Sequence, residues 1–359
     1  MAIAERLKMA RKMRGISQRE LARRAGVSAN AVSKYERGLN VPGSAVVIRL
    51  SKALDVKIEY LLRPDTYSIR LKAPAFRRLE MGAKDEVMVK ERVRDWLERY
   101  LEVEDLLDID MKSEFHMPLG YPIRISTIDE VEKVAEKLRH EWNLGFDPIE
   151  SLTDLLEDRG VKVGVIPAPD TFEAITFWYD STPIVAVRDG VPGDRQRLSL
   201  AHELGHLMVL PPEEMDNDEG REKVAFRFAG AFLVPESTVK RELGEERTRL
   251  DLFELHLLKH KYGLSMQAWI YRAKDLGIIS RKEYHRLFDI FTEKNWRQRE
   301  PGDQILPEEP RRMKRLVMRA YTEEIISFSR ASELLGQSIE SFCTIEEEKH
   351  EGFPIEVCH

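Results

Sequence analysis

Apolar positions set the outline of the chain. Over residues 5–62 they recur at helical spacing in five short runs, among them residues 4–13, 18–25 and 29–37. Leu21, Ala22, Val27, Val32, Leu50, Ala53, Leu54 and Leu61 are the expected core of this small unit. Residues 63–82 hold Pro64, Pro74 and Gly82 among basic residues and read as a linker. A long helix is predicted over 83–107, with Val87, Val93, Trp96, Leu97, Tyr100, Leu101, Val103 and Leu106 as a seam for the following domain or a second subunit. From Ile128 the pattern changes. Helices over 131–142 and 148–158 precede β-branched runs at 161–166, 174–178 and 184–187, which predict a small sheet. Beyond Pro235 the pattern is mainly helical, with helices over 265–276, 281–291 and 311–321 and a helix-turn-helix-like pair over 324–336. The expected class is mainly α with a small β-sheet (α+β), in four parts: a five-helix domain (1–66), a linker and long helix (67–125), a mixed domain (126–240) and a helical C-terminal region (241–359).

Composition narrows the setting. The 359 residues allow two or three domains, and no apolar run is long enough to span a membrane. The start lacks the apolar core of a signal peptide. Cys343 and Cys358 are too few for a disulfide framework or a zinc knuckle, so a cytoplasmic location is expected. The net charge of −6 hides an asymmetry: residues 1–70 hold fifteen Lys/Arg against six Asp/Glu, so the remainder is net −15. A basic first domain on an acidic body points to a nucleic-acid contact confined to one end.

The densest chemistry lies in Leu198-Ser199-Leu200-Ala201-His202-Glu203-Leu204-Gly205-His206-Leu207-Met208. A helix apolar on nearly every side is expected to be buried, and imidazoles and a carboxylate are costly there unless paired or ligated. His202 and His206, four apart, leave one face of the helix and can share one ion, while Glu203 is placed to accept a proton from water activated by it. This is the H-E-x-x-H spacing of zinc peptidases. Asp216, Asn217, Asp218 and Gly220 read as a loop before a helix over 222–235 whose apolar stripe is Ala225, Phe228, Ala229 and Phe232. Glu222 falls on that inward face and is the expected third ligand; the alternative is a solvated first-turn carboxylate favouring the helix dipole. Glu213, Glu214, Glu219 and Glu236 are poorer candidates. His256 and His260 are also four apart, but with Lys259 and Lys261 around them they read as a solvated face.

With Arg195-Gln-Arg-Leu-Ser-Leu-Ala-His-Glu-Leu-Gly-His206, then Glu222-x-x-Ala225-x-x-Phe228-Ala229 and Pro235, the chain resembles the ImmA/IrrE metallopeptidases. Leu138-Arg139-x-x-Trp142, Gly145, Pro148-Ile149 and Gly160-Val161 extend the likeness. Phe226 departs from it, standing where that family usually has Asn, which affects a contact behind the ligands rather than the ligands themselves. The resemblance implies a zincin-like domain with one zinc per chain on His202, His206 and Glu222, and Glu203 as general base. Tyr179, His256 and Tyr271 are candidate oxyanion partners, and a strand edge beside the zinc helix would accept an extended peptide.

At the other end, Ser17-Gln18-Arg19-Glu20 reads as a capping box, Gly26 as a tight turn and Ser28 as the next cap. With Gln18-x-x-Leu21-Ala22, Gly26-Val27-Ser28, Val32-Ser33-x-x-Glu36-x-Gly38 and Pro42, residues 6–62 resemble the phage-repressor (XRE-type) helix-turn-helix family. That resemblance implies that Ala29, Asn30, Ser33 and Lys34 face bases in the major groove, with Asn30 suited to adenine. Ser28 caps that helix, and Gln18 and Arg37 would touch phosphate. Together the two resemblances imply a cytoplasmic regulator in phage, mobile-element or toxin–antitoxin control. It would bind double-stranded operator DNA, in keeping with a homodimer on a two-fold site, and cut a helix-turn-helix repressor or antitoxin-like protein. The competing reading is a repressor whose peptidase-like domain senses a ligand or partner and cuts nothing. A degradative general protease is disfavoured, because a DNA-binding domain has no use on one.

Overall fold

A computed structural model describes residues 2–63, 67, 69–71, 81–109 and 115–342; Pro64, Pro74, Cys343, Cys358 and the last dozen residues, read above as frayed, lie outside them. Five helices form the first unit: α1 (Ala2–Met13), α2 (Gln18–Ala25), α3 (Ala29–Glu36), α4 (Ser44–Leu54) and α5 (Ile58–Leu62). The Ser17 hydroxyl accepts from the Glu20 amide at 3.1 Å, Gly26 ends α2 at φ 63°, and the Ser28 hydroxyl accepts from the Ala31 amide at 3.1 Å. The capping box is half made, since the Glu20 carboxylate turns to Arg23 and Arg24 instead. Leu21, Ala22, Val32, Leu50, Leu54 and Leu61 are buried as expected, Val27 and Ala53 only partly, and Leu7, Ala10, Val47 and Tyr60 complete the core.

The long helix α6 (Ala83–Leu106) is a spine for three units. The three-stranded sheet runs β2 (Lys162–Ile166), β4 (Thr182–Arg188), β3 (Ala174–Tyr179), with β2–β4 parallel and β3–β4 antiparallel. Alternation along the strands divides their side chains. Ile175, Phe177, Ile184 and Ala186 meet Val89, Val93, Trp96, Leu97, Tyr100 and Leu101 of α6 on one face. Ala174, Val185 and Val187 join the main core on the other. Val87 and Leu106, expected in the seam, are instead exposed at the helix ends. From Val93 to Leu101 the partner of the seam is thus the sheet.

The second face of the sheet carries α9 (Gly193–Met208), backed by α7 (Val131–Glu141), α8 (Leu152–Asp158) and α10 (Asp218–Leu233). Two starts differ from expectation. Helix α8 begins at Leu152 under the Ser151 cap, and Pro148 and Ile149 stay outside regular structure. Helix α10 begins at Asp218 rather than Glu222, because the Asn217 side chain accepts from the Gly220 amide at 2.9 Å and nucleates a turn earlier. A further parallel pair, β1 (Ile123–Arg124) with β5 (Val209–Leu210), has too short a signal to be read in sequence. Then follow α11 (Glu236–Leu243), α12 (Leu252–Tyr262), α13 (Met266–Asp275), α14 (Arg281–Glu293), α15 (Arg312–Thr322) and α16 (Phe328–Leu334). One core runs from Tyr121 to Phe291 without a break at residue 240. Helices α15 and α16 pack on the C-terminal end of α6 through Val103, Val317, Ala320 and Leu334; residues 323–326, expected to be helical in part, are a turn, and the Ser327 hydroxyl caps α16.

The first unit is fastened to the spine by charge. Glu98 of α6, 3% exposed, accepts both terminal nitrogens of Arg6 and the Arg63 Nη2 at 3.2 Å. Lys12 reaches Glu91 at 2.8 Å and Arg92 donates to the Met13 carbonyl at 3.0 Å. No described helix is long and apolar enough to cross a membrane.

Candidate metal centre and helix-turn-helix surface

Helices α9 and α10 pack closely because position 205 is glycine: a Cβ there would lie 3.1 Å from the Ala225 Cα and 3.1 Å from the Phe228 ring. That approach brings Glu222 over the imidazoles. His202 Nε2 lies 3.1 Å and His206 Nε2 3.2 Å from the two Glu222 oxygens, and the two Nε2 atoms are 3.0 Å apart. Among the described residues this is the one cluster of three potential ligands. Zinc bonds of about 2.0–2.1 Å in a tetrahedron set ligand atoms about 3.3 Å apart, so three donors already converge at close to the required spacing. The residues present therefore fit a single zinc. Burial opposes the charge on Glu222, yet the hydrogen bonds from His202 and His206 hold its carboxyl well below the usual carboxylate range.

Glu203, 1% exposed, sits between this cluster and the sheet, where its Oε2 accepts from the Thr176 hydroxyl at 2.8 Å. Thr176 lies on β3, an edge strand of the three-stranded sheet. Its contribution escaped sequence reading, because a threonine in a β-branched run carries no distinguishing mark. His202, Glu203 and Glu222 open on a cavity of about 740 Å³, walled by Leu198, Phe226 and Tyr271 and rimmed by Arg195 and Lys223. Arg227, also at this cavity, is held by Glu132 at 2.7 Å. Of the oxyanion candidates only Tyr271 lines the cavity. Tyr179 packs on the α6 side of the sheet, and His256 lies on α12 against Phe253 and Gly302. The Phe226 ring lies tilted against His202, with centroids 4.2 Å apart, and the buried His202 Nδ1 has no hydrogen-bond partner among the described residues. Glu213, Glu214, Glu219 and Glu236 stay out of the cluster.

In the first unit, Ser28, Asn30 and Arg37 are exposed, and Ala29, Ser33 and Lys34 are half-buried. Arg37 is the residue after α3 rather than its last turn, with its Nε at 3.4 Å from the Ser33 carbonyl. The Gln18 amide donates to Glu36 at 2.7 Å, and Glu36 also takes Arg11 at 2.5 and 2.9 Å, which ties the start of α2 to α3.

Comparison with known proteins agrees with both units. Residues 7–61 match the helix-turn-helix family model and residues 156–274 match that of the IrrE N-terminal-like domain. The HTH-type transcriptional regulator ImmR of Bacillus subtilis (strain 168) is 35% identical over 68 residues, which is 19% of this chain and 54% of that protein. The uncharacterized HTH-type regulator YqaE of the same organism is 33% identical over 63 residues, 18% of this chain and 54% of its own. A third such regulator, y4dL of Sinorhizobium fredii (strain NBRC 101917 / NGR234), is 38% identical over 56 residues, 16% of this chain and 29% of its own. The chain thus spans about half the length of the first curated relatives it matches. The second match runs past residue 240, as the continuous core does.

Proposed function

We infer that this chain, which joins a helix-turn-helix domain to an IrrE N-terminal-like domain, is a cytoplasmic DNA-binding transcriptional regulator carrying a zinc-dependent endopeptidase. The observation that carries the reading is the convergence of His202, His206 and Glu222 at 3.0–3.2 Å beside a cavity lined by His202, Glu222 and Glu203. A zinc ion held there would acidify water and polarise a peptide carbonyl. The chain's own residues supply the rest. Thr176 holds one Glu203 oxygen, so the carboxylate is fixed to accept the proton of the attacking water and return it to the leaving amine. The β3 edge offers backbone groups along which an extended peptide can lie, and Tyr271 is the cavity's candidate donor to the developing oxyanion. At the other end, Asn30, Ser33 and Lys34 of α3 would read bases, with Ala29 against them. Arg37 would touch phosphate, and two copies would occupy a two-fold operator. The substrate in this reading is a regulatory protein, a helix-turn-helix repressor or antitoxin-like partner, whose cleavage relieves repression.

A second reading, a repressor that senses through this domain without cutting, draws on the partnerless His202 Nδ1. Zinc-bound histidines usually donate that second nitrogen to an orienting group. Two variants decide. Glu222→Ala should lower zinc content from about one per chain toward none. Glu203→Gln should keep zinc and operator binding and abolish both cleavage and derepression. Unchanged target-gene control in Glu203→Gln would exclude proteolysis as the working step, and zinc-free wild type with intact DNA binding would favour the sensing reading.

A further inference from the structure

We propose that His256 and His260 form a second, exposed site for a borderline divalent ion such as zinc or nickel, separate from the His202–His206–Glu222 cluster. The two imidazoles stand one turn apart on α12 with ring centroids 4.6 Å apart, the same separation as His202 and His206. In sequence the pair is discounted because Lys259 and Lys261 flank it. The structure removes that objection. Lys259 is fully buried, with its ammonium between Asp194 at 3.0 Å and Glu300 at 3.1 Å. Lys261 donates to Glu242 at 2.8 Å. Each cation is thus paired with a carboxylate rather than left to repel an approaching ion.

The pair is also partly preorganised. His256 is half-buried and held on one side by the Phe253 ring, nearly parallel at 6.5 Å. The chain also passes His256 at Gly302, where an added Cβ would lie 2.5 Å from the imidazole Cε1. That backbone, at φ +75°, closes over the ring because residue 302 has no side chain. His260 is exposed and can turn toward its neighbour. One braced and one adjustable imidazole, four residues apart, make a two-nitrogen chelate. Nitrogen donors of this kind suit zinc, nickel or copper, whereas calcium and magnesium prefer oxygen. Among the described residues no carboxylate joins the pair in a three-ligand cluster, so water fills the remaining positions and the ion is weaker-bound and exchangeable. Neither histidine lines the cavity of the first site, so the two sites load independently.

The test is a calorimetric zinc titration of the untagged full chain, repeated with nickel, on wild type, His260→Ala and His256→Gln. Wild type should show two classes of zinc site. Each histidine variant should weaken the lower-affinity class by about tenfold or more and leave the tighter one unchanged. Glu222→Ala should do the reverse, which separates this site from the peptidase reading. Wild type should also be retained on nickel resin and His260→Ala released early. A single class in wild type, or a second class of equal affinity in both histidine variants, would overturn the proposal. Circular dichroism confirms that each variant is folded, and His260, being exposed, can be replaced without loss of core.

Discussion

The buried charges between the first unit and the spine allow a sharp test. In Glu98→Gln the shape is kept and the charge removed. Glu98 accepts three bonds, two from Arg6 and one from Arg63 at 3.2 Å, while Arg6 Nε already goes to the Arg63 carbonyl at 3.1 Å. Arg6 is 2% exposed, so water cannot replace the lost carboxylate. Asp95 at 3.3 Å and Glu333 at 3.9 Å remain as acidic partners of Arg63. Removing one member of such a buried group costs about 3–5 kcal/mol. The first unit has its own core, so the penalty falls on its docking to α6 rather than on its folding. For a unit of this size each 1 kcal/mol moves the melting midpoint by about 4–8 °C. Scanning calorimetry of the full chain should therefore show a first transition at least about 10 °C below wild type, with the main transition unmoved. Replacing the group by apolar side chains, Arg6→Met with Glu98→Leu, should recover most of the loss, since no buried charge then lacks a partner. A single transition within about 2 °C of wild type in Glu98→Gln would refute the reasoning and leave docking to Lys12–Glu91 and the Arg92 contact.

Other expectations follow from single contacts. Lys259→Met strands Asp194 and Glu300 in the interior and should cost about 3–5 kcal/mol in urea unfolding. Asn217→Ala removes the cap that starts α10 one turn before Glu222 and should cost about 1 kcal/mol, with weaker zinc retention in competition with a chelator. Gly205→Ala forces the α9–α10 contact apart and should lower zinc affinity while leaving DNA binding unchanged, measured by dialysis and gel shift. Chelation of the wild type should lower its melting temperature and zinc should restore it, because zinc at 100 times its Kd adds about 2.7 kcal/mol. A melting curve indifferent to chelator and zinc would count against the metal site.

The parts of the site that were legible in sequence are those whose geometry one helix dictates. His202 and His206 share a face because a helix repeats every 3.6 residues, and Glu222 could be placed by its phase with Ala225, Phe228 and Ala229. The phase held even though the helix starts at Asp218, because an earlier start does not rotate later positions. Caps were legible for the same local reason: Ser17 and Ser28 satisfy amides three residues on. Thr176 was not, since it meets Glu203 across the stacking of sheet on helix, which no sequence period records.

The same distinction explains why Lys259 was misjudged and how the scaffold of the site is held. Lys259 reads as solvent-facing because lysine on a short helix usually is. Its burial is decided by Asp194 at the start of α9 and Glu300 beyond α14, which are 65 and 41 residues away in the chain. Glu308 acts likewise from a segment without regular structure, meeting Arg197, the Thr153 amide at 2.7 Å and, through its own backbone, Gln196 at 2.6 and 2.8 Å. The N-terminal half of α9 is thus gripped by charges from elements late in the chain, and the C-terminal half, which carries both histidines, by apolar contact with α10. A helix fixed at both ends holds the imidazoles of the proposed metal site in place without a hydrogen bond behind His202. Loss of grip at Lys259 or Glu308 should therefore reach the metal pair through the orientation of α9, even though neither residue touches a ligand.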